Sequence, residues 1–481
     1  MKILIVSPEI YPLAKTGGLA DVAGALSRTL AAAGAEVALA MPAYQSVLQS
    51  GLPIEKTGME LETPLGTERI NGTVLKMRLA EALPVFLIKA DRFFQRDGLY
   101  GASRGDYPDN LERFTFFSKA VLALAGRLAP WDVIHCNDWQ SALIPVFKTL
   151  RAESYPELEG SKTLLTIHNL GYQGEFPASQ WKLLGLSQHY FTPQYLEFYG
   201  KINLLKGGIL FADALTTVSR KYASEIATPE YGCGLDGVIR LRQKDLYGIL
   251  NGVDYDEWNP ETDPYIKRKY SSRNLRGKDI CKQDLQELYQ LPVRAEIPLF
   301  GIVSRLVDQK GLDIIFEVLE TLLRLDLQLV ILGTGEQKYQ DLLLDLARKY
   351  PANLGVRIGF ANDLAHKIEA GADSFLMPSK FEPCGLNQMY SLKYGTIPIV
   401  RATGGLDDTI EDFSPLRLTG NGIKFSDYSG AALLESIKRG IAVFHHKRAW
   451  RRLIQNAMAC DFSWKKSASE YLGLYDKLPK V

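Results

Sequence analysis

The chain has 481 residues, 46% of them hydrophobic and 23% charged, as expected of a soluble globular protein with about two to three domains. Lys and Arg together number 56, against 55 for Asp and Glu. This balance gives no reason to expect nucleic acid or a membrane surface as the main partner. Any anionic substrate would have to be held by a few well-placed cations.

The cysteines are scattered and form neither a CxxC pair nor a cluster with metal-ligand spacing. They are Cys136, Cys233, Cys281, Cys384 and Cys460. No apolar run reaches the roughly 18 residues of a membrane span. Pro8 and Glu9 interrupt the apolar N-terminus, which favours a first strand over a signal peptide. Free thiols and the lack of a targeting segment predict a cytoplasmic protein.

Short apolar runs alternate with amphipathic stretches over the first half of the chain. The first run, Lys2–Ser7, is a predicted strand, and a helix over Ala20–Ala33 follows and ends at Gly34. Further predicted strands are Glu36–Pro42, Val85–Ala90, Asp132–Cys136, Thr163–His168 and Ala214–Ser219. Such alternation is typical of a doubly wound, mainly parallel sheet.

The pattern restarts after a turn-rich segment, Leu246–Pro260, that resembles a linker. The predicted strands here are Pro298–Arg305, Leu327–Gly333, Val356–Phe360, Ser374–Pro378 and Thr396–Arg401. We therefore predict an α/β protein of two Rossmann-like domains, 1–246 and 247–460, facing each other across a cleft. The segment 461–481 carries a last helix that we expect to cross back to the first domain. Ligands of such sheets bind at the carboxyl ends of the strands.

Two loops at predicted strand ends carry cations. Lys15 lies in Ala14–Val22, a Gly-Gly turn before a helix, where backbone N–H groups and the helix dipole favour an anion. The turn lacks the G-x-G-x-x-G of a dinucleotide site. Arg305 and Lys310 follow the first strand of the second domain, and together with Lys15 they could hold a diphosphate. On spacing alone, solvated surface cations explain Arg305 and Lys310 equally well.

Another strand-to-helix loop, Pro378–Gly395, contains a carboxylate and a cysteine. Glu382 can hydrogen-bond sugar hydroxyls and balance positive charge developing at an anomeric carbon, although it could also be a simple turn residue. Cys384 is more simply a small buried residue than a nucleophile. A second Gly-Gly turn within Arg401–Thr409 would supply further free N–H donors.

Polar residues also end two strands of the first domain. His168 ends a predicted strand beside Asn169; a lone histidine is more often structural, but this strand-end position weakens that interpretation. Asp138 and Trp139 combine a carboxylate with an aromatic face, which suits a sugar ring. The segment Asp254-Tyr255-Asp256 has the D-x-D form of a sugar-nucleotide metal site, but it lies in the linker. We predict no metal, because the three cations can neutralise the diphosphate instead.

Taken together, the motifs resemble the family of bacterial glycogen synthases and plant starch synthases. They occur in the family's order from Lys2 to about Leu474: KTGGLADV, HCNDW, TIHNLGYQG, ILNGVD, SRLVDQKG, PSKFEPCGLNQMYSLKYG and RATGGLDDT. The resemblance implies the two-Rossmann architecture called GT-B. It also implies metal-independent transfer of glucose from ADP-glucose to an α-1,4-glucan or maltooligosaccharide with retention of configuration, with no cofactor.

The resemblance also implies roles for individual residues. Catalytic roles fall on Glu382, His168, Arg305, Lys310 and Lys15. The nucleotide-sugar set is Lys15, Gly18, Asp21, Arg305, Lys310, Phe360, Cys384, Gly385, Leu386, Tyr390, Thr403, Gly404 and Gly405. Glucose or acceptor contacts fall on Asp138, Trp139, Asn169 and Asn251. Phe360 replaces a tyrosine that stacks on adenine in many members, and Tyr390 stands where many related retaining transferases have a second glutamate.

Three alternatives stay open at this stage. One is a glucosyltransferase of the same architecture that uses UDP-glucose. Another is an enzyme similar to α-glucan phosphorylase, which would need pyridoxal phosphate. The third is a glucan-binding protein without activity, for which a diphosphate-binding set of cations would serve no purpose. The oligomeric state does not follow from the sequence.

Overall fold

The computed structural model describes residues 1–79, 83–102 and 105–478. The chain divides into two compact units. The first unit comprises Met1–Val218, Ala223–Gly252 and the segment from Trp464 onward; the second comprises Ser219–Tyr222 and Val253–Ser463. The domain limits inferred from sequence, 246/247 and 460/461, stay a prediction, and residues 479–481 of the predicted crossover segment lie outside the described residues.

The first unit is built on a nine-stranded sheet with the order β14-β13-β9-β8-β1-β2-β5-β4-β3. Its strands are β1 (Lys2–Val6), β2 (Glu36–Pro42), β3 (Glu55–Leu65), β4 (Glu68–Leu79), β5 (Leu83–Lys89), β8 (Val133–Asn137), β9 (Lys162–Ile167), β13 (Ala214–Thr217) and β14 (Leu246–Gly248). Smaller antiparallel pairings join β6 (Gly101–Ala102) with β7 (Gly105–Asp106), and β12 (Lys201–Asn203) with β10 (Glu175–Pro177) and β11 (Glu197–Phe198).

Seven strands of this sheet pair in parallel, and the last two, β4 and β3, are joined by antiparallel pairing. β5 pairs antiparallel with β4, and β4 pairs antiparallel with β3. We did not predict β3 and β4 from sequence. β3 alternates exposed and buried side chains along part of its length, so it lacks the continuous apolar run that marks the buried strand β1.

Helices cover the sheet of the first unit. They are α1 (Gly18–Ala32), α2 (Gln45–Leu48), α3 (Asp91–Phe94), α4 (Asn110–Leu128), α5 (Leu143–Leu150), α6 (Leu204–Phe211), α7 (Arg220–Glu225, which bridges the division between units) and α8 (Asp236–Leu241). α1 buries Leu19, Val22, Leu26 and Leu30, the spacing of one helical face. Short 3-10 helices lie at Trp139–Ser141, Ala152–Ser154, Pro156–Leu158, Ala178–Leu184, Gln188–Tyr190 and Gln243–Asp245.

The second unit is built on a six-stranded parallel sheet with the order β17-β16-β15-β18-β19-β20. The strands are β15 (Leu299–Leu306), β16 (Gln328–Gly335), β17 (Leu354–Ile358), β18 (Ser374–Met377), β19 (Ile397–Arg401) and β20 (Ile423–Phe425). Counted from β15, this is the order 3-2-1-4-5-6 of a Rossmann sheet. The predicted parallel strands of both halves are confirmed, with small shifts at their ends.

Helices pack on both faces of this second sheet. They are α9 (Arg276–Leu288), α10 (Leu312–Leu322), α11 (Gln337–Lys349), α12 (Asn362–Gly371), α13 (Asn387–Tyr394), α14 (Gly404–Thr409), α15 (Gly430–His445) and α16 (Lys447–Met458), with a 3-10 turn at Asp308–Lys310. One buried apolar cluster includes Val330 and Leu392, and a second includes Ile331 and Leu319. The neighbours Val330 and Ile331 thus point to opposite faces of the sheet.

The last helix, α17 (Trp464–Lys477), belongs to the first unit, as expected for a crossover helix. The Tyr475 hydroxyl lies 2.8 Å from Nδ1 of His135 on β8. The Ser467 hydroxyl donates to the carbonyl of Leu250 at 2.6 Å. Among the described residues, no helix is both long enough and apolar enough to cross a membrane.

Candidate active site

In each unit, several of the predicted site residues follow the two strands on either side of the point where the strand order reverses, among them Lys15, Asp138, Lys310 and Glu382. In the second unit these strands are β15 and β18, and in the first they are β1 and β8. Crevices at the carboxyl ends of such strands bind ligands in doubly wound sheets.

The central contact of the second unit joins Lys310 and Glu382. The Lys310 Nζ lies 2.5 Å from the Glu382 Oε2, and the Ser379 hydroxyl donates to the same oxygen at 3.1 Å. Glu382 is buried, and the Lys310 side chain is 19% exposed. A mostly buried ion pair of this kind is costly to separate, so the lysine and the carboxylate are held in fixed positions.

Arg305 lies at the end of β15 and is exposed. Its guanidinium is 3.3 Å from the Gln309 Oε1. Gln309 also donates through its side chain to the Phe381 carbonyl at 3.3 Å, while its own carbonyl accepts from the Lys380 N–H at 2.9 Å. The Arg305 loop and the Glu382 loop are therefore bound to each other, which brings two predicted cations and the predicted carboxylate together.

The second Gly-Gly turn packs directly on the Glu382 loop. The Gly405 N–H donates to the carbonyls of Glu382 and Pro383 at 3.1 and 3.2 Å. A Cβ at Gly404 would lie 1.9 Å from the Glu382 carbonyl oxygen, and one at Gly405 would lie 1.9 Å from that of Cys384. The expectation of free N–H donors is therefore wrong for Gly405, because its N–H joins two loops. The buried Thr403 precedes this pair at the start of α14.

The residues Cys384, Gly385 and Leu386 form the loop that leads into α13. Gly385 has a positive φ of 68°, a conformation that glycine adopts without strain. The Gln388 side chain donates to the carbonyls of Cys384 and Gly385 at 3.0 and 3.1 Å. Cys384 is buried, as expected for a packing role. Tyr390 lies one turn along α13, and its N–H donates to the Leu386 carbonyl at 3.0 Å.

Phe360 follows β17, and its side chain is 83% exposed. An aromatic ring open to solvent at the end of a parallel strand can stack on a planar base. The structure thus leaves Phe360 available for the role that the resemblance implies.

The first Gly-Gly turn, in the first unit, contains a carboxylate that we did not predict. Glu9 is 4% exposed, and it accepts the Thr16 N–H at 2.5 Å, the Thr16 hydroxyl at 2.6 Å and the Gly17 N–H at 3.3 Å. The Tyr100 hydroxyl donates to it at 2.7 Å. Two N–H groups of this turn, those of Thr16 and Gly17, are thus occupied by Glu9 and are not free for a substrate anion. Tyr100 lies 91 positions from Glu9, so no local motif signals its part in this arrangement.

Lys15 and Asp21 form an ion pair at the start of α1, near Gly18. The Lys15 Nζ lies 2.8 Å from the Asp21 Oδ1, and the two side chains are 37% and 25% exposed. Burial raises the pKa of Asp21, and the nearby Lys15 charge offsets only part of this increase. Lys15 therefore remains accessible to an incoming anion, although it already has an acidic partner.

A hydrogen-bonded group connects the ends of β8 and β9. The Asp138 Oδ1 accepts the His168 N–H at 2.7 Å, and the Asn137 Oδ1 lies 2.9 Å from the His168 Nε2. Asn137 also donates through Nδ2 to the Val6 carbonyl at 3.1 Å, so its Oδ1 is the acceptor for a proton on Nε2. The Nδ1 of His168 is then an acceptor. Asn137 was not among the predicted residues.

The backbone and the ionisation of Asp138 are both unusual. Asp138 has φ 55° and ψ −174°, a conformation that costs energy in a residue other than glycine and often marks functional sites. Burial raises the pKa of Asp138 to about 7, helped by the negative charge of Glu9 and opposed by the N–H groups of His168 and Asn169. Burial lowers the pKa of His168 to about 3, so that its ring is neutral at physiological pH.

The other predicted residues of the first unit differ in accessibility. The half-buried Trp139 ring packs edge-on against Phe114 at 5.0 Å, and a Cβ at Gly174 would lie 2.5 Å from it. Much of its aromatic face is therefore used in packing. The half-buried Asn169 accepts the Gly171 N–H at 3.0 Å. Asn251 is buried, and its Oδ1 has no hydrogen-bond partner among the described residues.

No group of three or more His, Cys, Asp and Glu side chains that could hold a metal ion occurs in the part of the chain that the structure describes. Cations are the recurrent element of the two sets instead. Lys15 lies in one unit, while Arg305 and Lys310 lie in the other.

Two Rossmann-like units, each built on a mainly or wholly parallel sheet and carrying these strand-end residues, define a glycosyltransferase of the GT-B class. The family model "Starch synthase catalytic domain" matches residues 2–241, and "Glycosyl transferases group 1" matches residues 289–457. A sucrose-phosphate synthase from Thermosynechococcus elongatus, 17% identical over 99% of this chain and 98% of its own, shares the fold with a TM-score of 0.62.

The chain belongs to the glycogen/starch synthase family. It is 47% identical to a glycogen synthase from Koribacter versatilis over 100% of this chain and 99% of that protein. It is 48% identical to a glycogen synthase from Moorella thermoacetica over 99% and 96%. The catalytic domain of starch synthase IV from Arabidopsis thaliana, solved with ADP and acarbose, is 32% identical over 99% of both chains with a TM-score of 0.90. These relatives do not favour the three alternatives left open by the sequence.

Proposed function

We propose that this glycosyltransferase transfers glucose from ADP-glucose to the non-reducing end of an α-1,4-glucan, with retention of configuration and without a metal ion. The proposal rests mainly on the Lys310–Glu382 contact beside Arg305. This contact places a diphosphate-binding charge and a carboxylate on one rigid pair of loops. The choice of ADP rests on family membership and on the ADP bound in the related plant starch synthase.

In the proposed reaction, the bond between the glucose C1 and the diphosphate oxygen breaks as the acceptor 4-hydroxyl attacks from the same face. The C1–O4 bond forms, and the hydroxyl proton passes to the departing diphosphate. Arg305 can bind two phosphate oxygens, while Lys310 supplies a compact charge. Fixed cations stabilise the charge that develops on the leaving group.

Glu382 is proposed to act on the glucose. Its Oε2 is shared by Lys310 and Ser379, which leaves Oε1 as an acceptor for a sugar hydroxyl. A carboxylate held near the anomeric carbon also stabilises an oxocarbenium-like transition state. The lysine beside it holds the carboxylate in one orientation.

The first unit, taken by itself, supplies a second group of polar contacts. The neutral His168 ring offers Nδ1 as an acceptor, while its Nε2 donates to Asn137. Asp138 holds the backbone of His168 in place. We propose that His168 and Asp138 bind glucose hydroxyls and that Lys15 adds charge for the phosphates.

Localisation in the cytoplasm fits this activity. The cysteines at 136, 233, 281, 384 and 460 are all free thiols, the form kept in a reducing compartment. We propose α-1,4-glucan and maltooligosaccharides as the partners there.

A donor comparison tests the proposal. Purified protein is given maltoheptaose and either ADP-glucose or UDP-glucose in buffer with EDTA, and the elongated products are separated by size and digested with an α-1,4-specific glucosidase. We expect elongation with ADP-glucose at a kcat/KM at least tenfold above that with UDP-glucose, unaffected by EDTA. Preference for UDP-glucose or loss of activity in EDTA would contradict the donor or the metal part of the proposal.

A further inference from the structure

Three aromatic rings from distant parts of the second unit form one continuous stack behind the Cys384–Leu386 loop. Trp258 lies between His366 of α12 and Tyr390 of α13. The ring centroids are 3.8 Å apart on the His366 side and 3.9 Å apart on the Tyr390 side, with planes inclined by 10° and 1°. Tyr390 is therefore held flat against an indole ring across its whole face.

This geometry is not the one that aromatic rings choose by themselves. Isolated pairs prefer offset or edge-on arrangements with centroids about 4.5 to 7 Å apart, because direct overlap opposes like parts of the two quadrupoles. Nearly coincident parallel rings, as for Trp258 and Tyr390, must be imposed by surrounding contacts. The contacts that impose this geometry are those of His366, at the end of the stack opposite Tyr390.

A buried carboxylate fixes the far end of the stack. The Asp263 Oδ2 is 2.8 Å from the His366 Nδ1 and accepts the Tyr394 hydroxyl at 2.5 Å. The Asp263 and His366 side chains are fully buried. Burial raises the pKa of Asp263, but the hydrogen bonds from His366 and Tyr394 outweigh this effect and lower the pKa. The imidazole is thus held by Asp263, and the Tyr394 hydroxyl in turn holds the Asp263 carboxylate.

One buried polar atom at the His366 end of the stack is unfavourable for stability. The His366 Nε2 is buried without a hydrogen-bond partner among the described residues, and leaving such an atom unsatisfied lowers stability. A cluster of aliphatic side chains would fill the same space without that cost. Aliphatic side chains would not, however, fix the plane of a ring. We therefore attribute the polar contacts to a need to orient the ring at the outer end of the stack, that of Tyr390.

We propose that Trp258 is a positioning residue for the donor site, which sets the plane of the Tyr390 ring where the donor nucleotide binds. The proposal rests on the proposed function and on the role in nucleotide-sugar binding that the family resemblance implies for Tyr390. Asp263 and His366 act through Trp258, and none of the three touches the substrate. Loss of the stack then weakens donor binding and leaves the glucan acceptor unaffected.

The test compares three variants. Trp258→Leu removes the flat surface, Trp258→Tyr retains one, and Tyr289→Leu removes a ring from the apolar core of the same unit. We expect Trp258→Leu to raise both the KM for ADP-glucose and the Kd for ADP by about five- to tenfold. The KM for maltoheptaose should stay within twofold. Trp258→Tyr and Tyr289→Leu should remain within twofold of the wild type in every constant.

Fluorescence supplies a readout that a purely structural role would not change. Subtracting the emission of Trp258→Tyr from that of the wild type isolates Trp258, and titration with ADP should then change this difference signal with the same Kd. This measurement needs only the wild type and Trp258→Tyr, so it can be made even if Trp258→Leu does not fold.

The outcomes separate the two proposals. A wild type that does not bind ADP or transfer glucose from ADP-glucose overturns the proposed function and this inference with it. A wild type that does both, while Trp258→Leu keeps its donor constants within twofold, overturns the positioning role alone. Equal impairment of Trp258→Leu and Trp258→Tyr, or a difference signal unchanged by ADP, also overturns it.

Discussion

The Lys310 Nζ lies 2.5 Å from the Glu382 Oε2, although the two residues are 72 positions apart in the chain. The contact joins the loop after β15 to the loop after β18, on either side of the reversal in strand order. The two partners have different proposed roles, because the positive charge of Lys310 attracts a diphosphate and the negative charge of Glu382 does not. Substitution of each partner should therefore affect different constants.

Glu382→Gln should lower kcat with ADP-glucose by at least about a hundredfold, the order of magnitude for loss of a preorganised charged group at a transition state. The Kd for ADP should change by less than about threefold, since removing a negative charge does not weaken binding of an anion. Kinetics and calorimetry measure the two quantities. Glu435→Gln, in an exposed pair with Lys438, is the control and should match the wild type. A kcat for Glu382→Gln within fivefold of the control would contradict the proposed role.

Asp138→Asn should change how stability depends on pH. The folded-state pKa of about 7 lies above the ordinary value of 3.8, so the stability from protonated Asp138 is present below about pH 4 and is lost as the pH rises through 7. Asparagine keeps an oxygen for the His168 N–H and does not titrate. The urea midpoint of wild type should therefore fall between pH 5 and 8 by more than that of Asp138→Asn.

The control for this experiment is Asp91→Asn, at an exposed carboxylate of the same unit. It should show the pH dependence of the wild type. If Asp138→Asn and the wild type lose stability in parallel, the raised pKa of Asp138 is wrong.

Glu9→Gln should destabilise the first unit by about 1–3 kcal/mol, because the amide group would face donors and leave one of them unsatisfied. The four donor groups come from Thr16, Gly17 and Tyr100. Urea denaturation followed by tryptophan fluorescence measures the loss, and exposed Glu36→Gln should have no effect beyond about 0.5 kcal/mol. Equal midpoints for the two variants would show that Glu9 does not hold the turn.

Gly405→Ala should lower kcat/KM by at least tenfold, because the added Cβ would lie 1.9 Å from the Cys384 carbonyl oxygen and displace the Glu382 loop. The control is Gly473→Ala in α17, where a Cβ meets nothing within 4 Å. Alanine there should raise stability by about 0.5–1 kcal/mol and leave activity unchanged. Full activity of Gly405→Ala would mean that the two loops are not coupled.

Phe360→Ala should weaken ADP binding about five- to 150-fold if the ring stacks on the base, since base–aromatic stacking contributes about 1–3 kcal/mol. Leu416→Ala provides the control, because Leu416 is 98% exposed in the same unit. Calorimetry with ADP and with inorganic pyrophosphate separates the base from the phosphates. A loss shared by both ligands would contradict stacking.

The parallel strands were predictable because each is a short apolar run, as in Leu4 and Ile5 of β1, both buried. The edge strand β3 and its neighbour β4 were not, since half-exposed strands carry a weaker pattern. Cations in strand-end loops were also predictable, because topology alone brings such loops together.

Partners of buried polar groups could not be predicted in the same way. Glu9 meets Tyr100 across 91 positions, and Trp258 meets Tyr390 across 132. Neither contact follows from local periodicity or turn chemistry, because each depends on how whole elements pack. The same limit explains why the Gly405 N–H was expected to be free.

Calorimetric titration of ADP into the wild type, Lys310→Ala and Lys349→Ala tests the central claim most directly. Lys349 is also paired, with Glu320 at 2.9 Å, but on the exposed surface of α11. We predict that Lys310→Ala binds ADP at least tenfold more weakly than wild type and that Lys349→Ala binds it equally well. Equal affinity of all three proteins would contradict the claim that Lys310 binds the donor diphosphate.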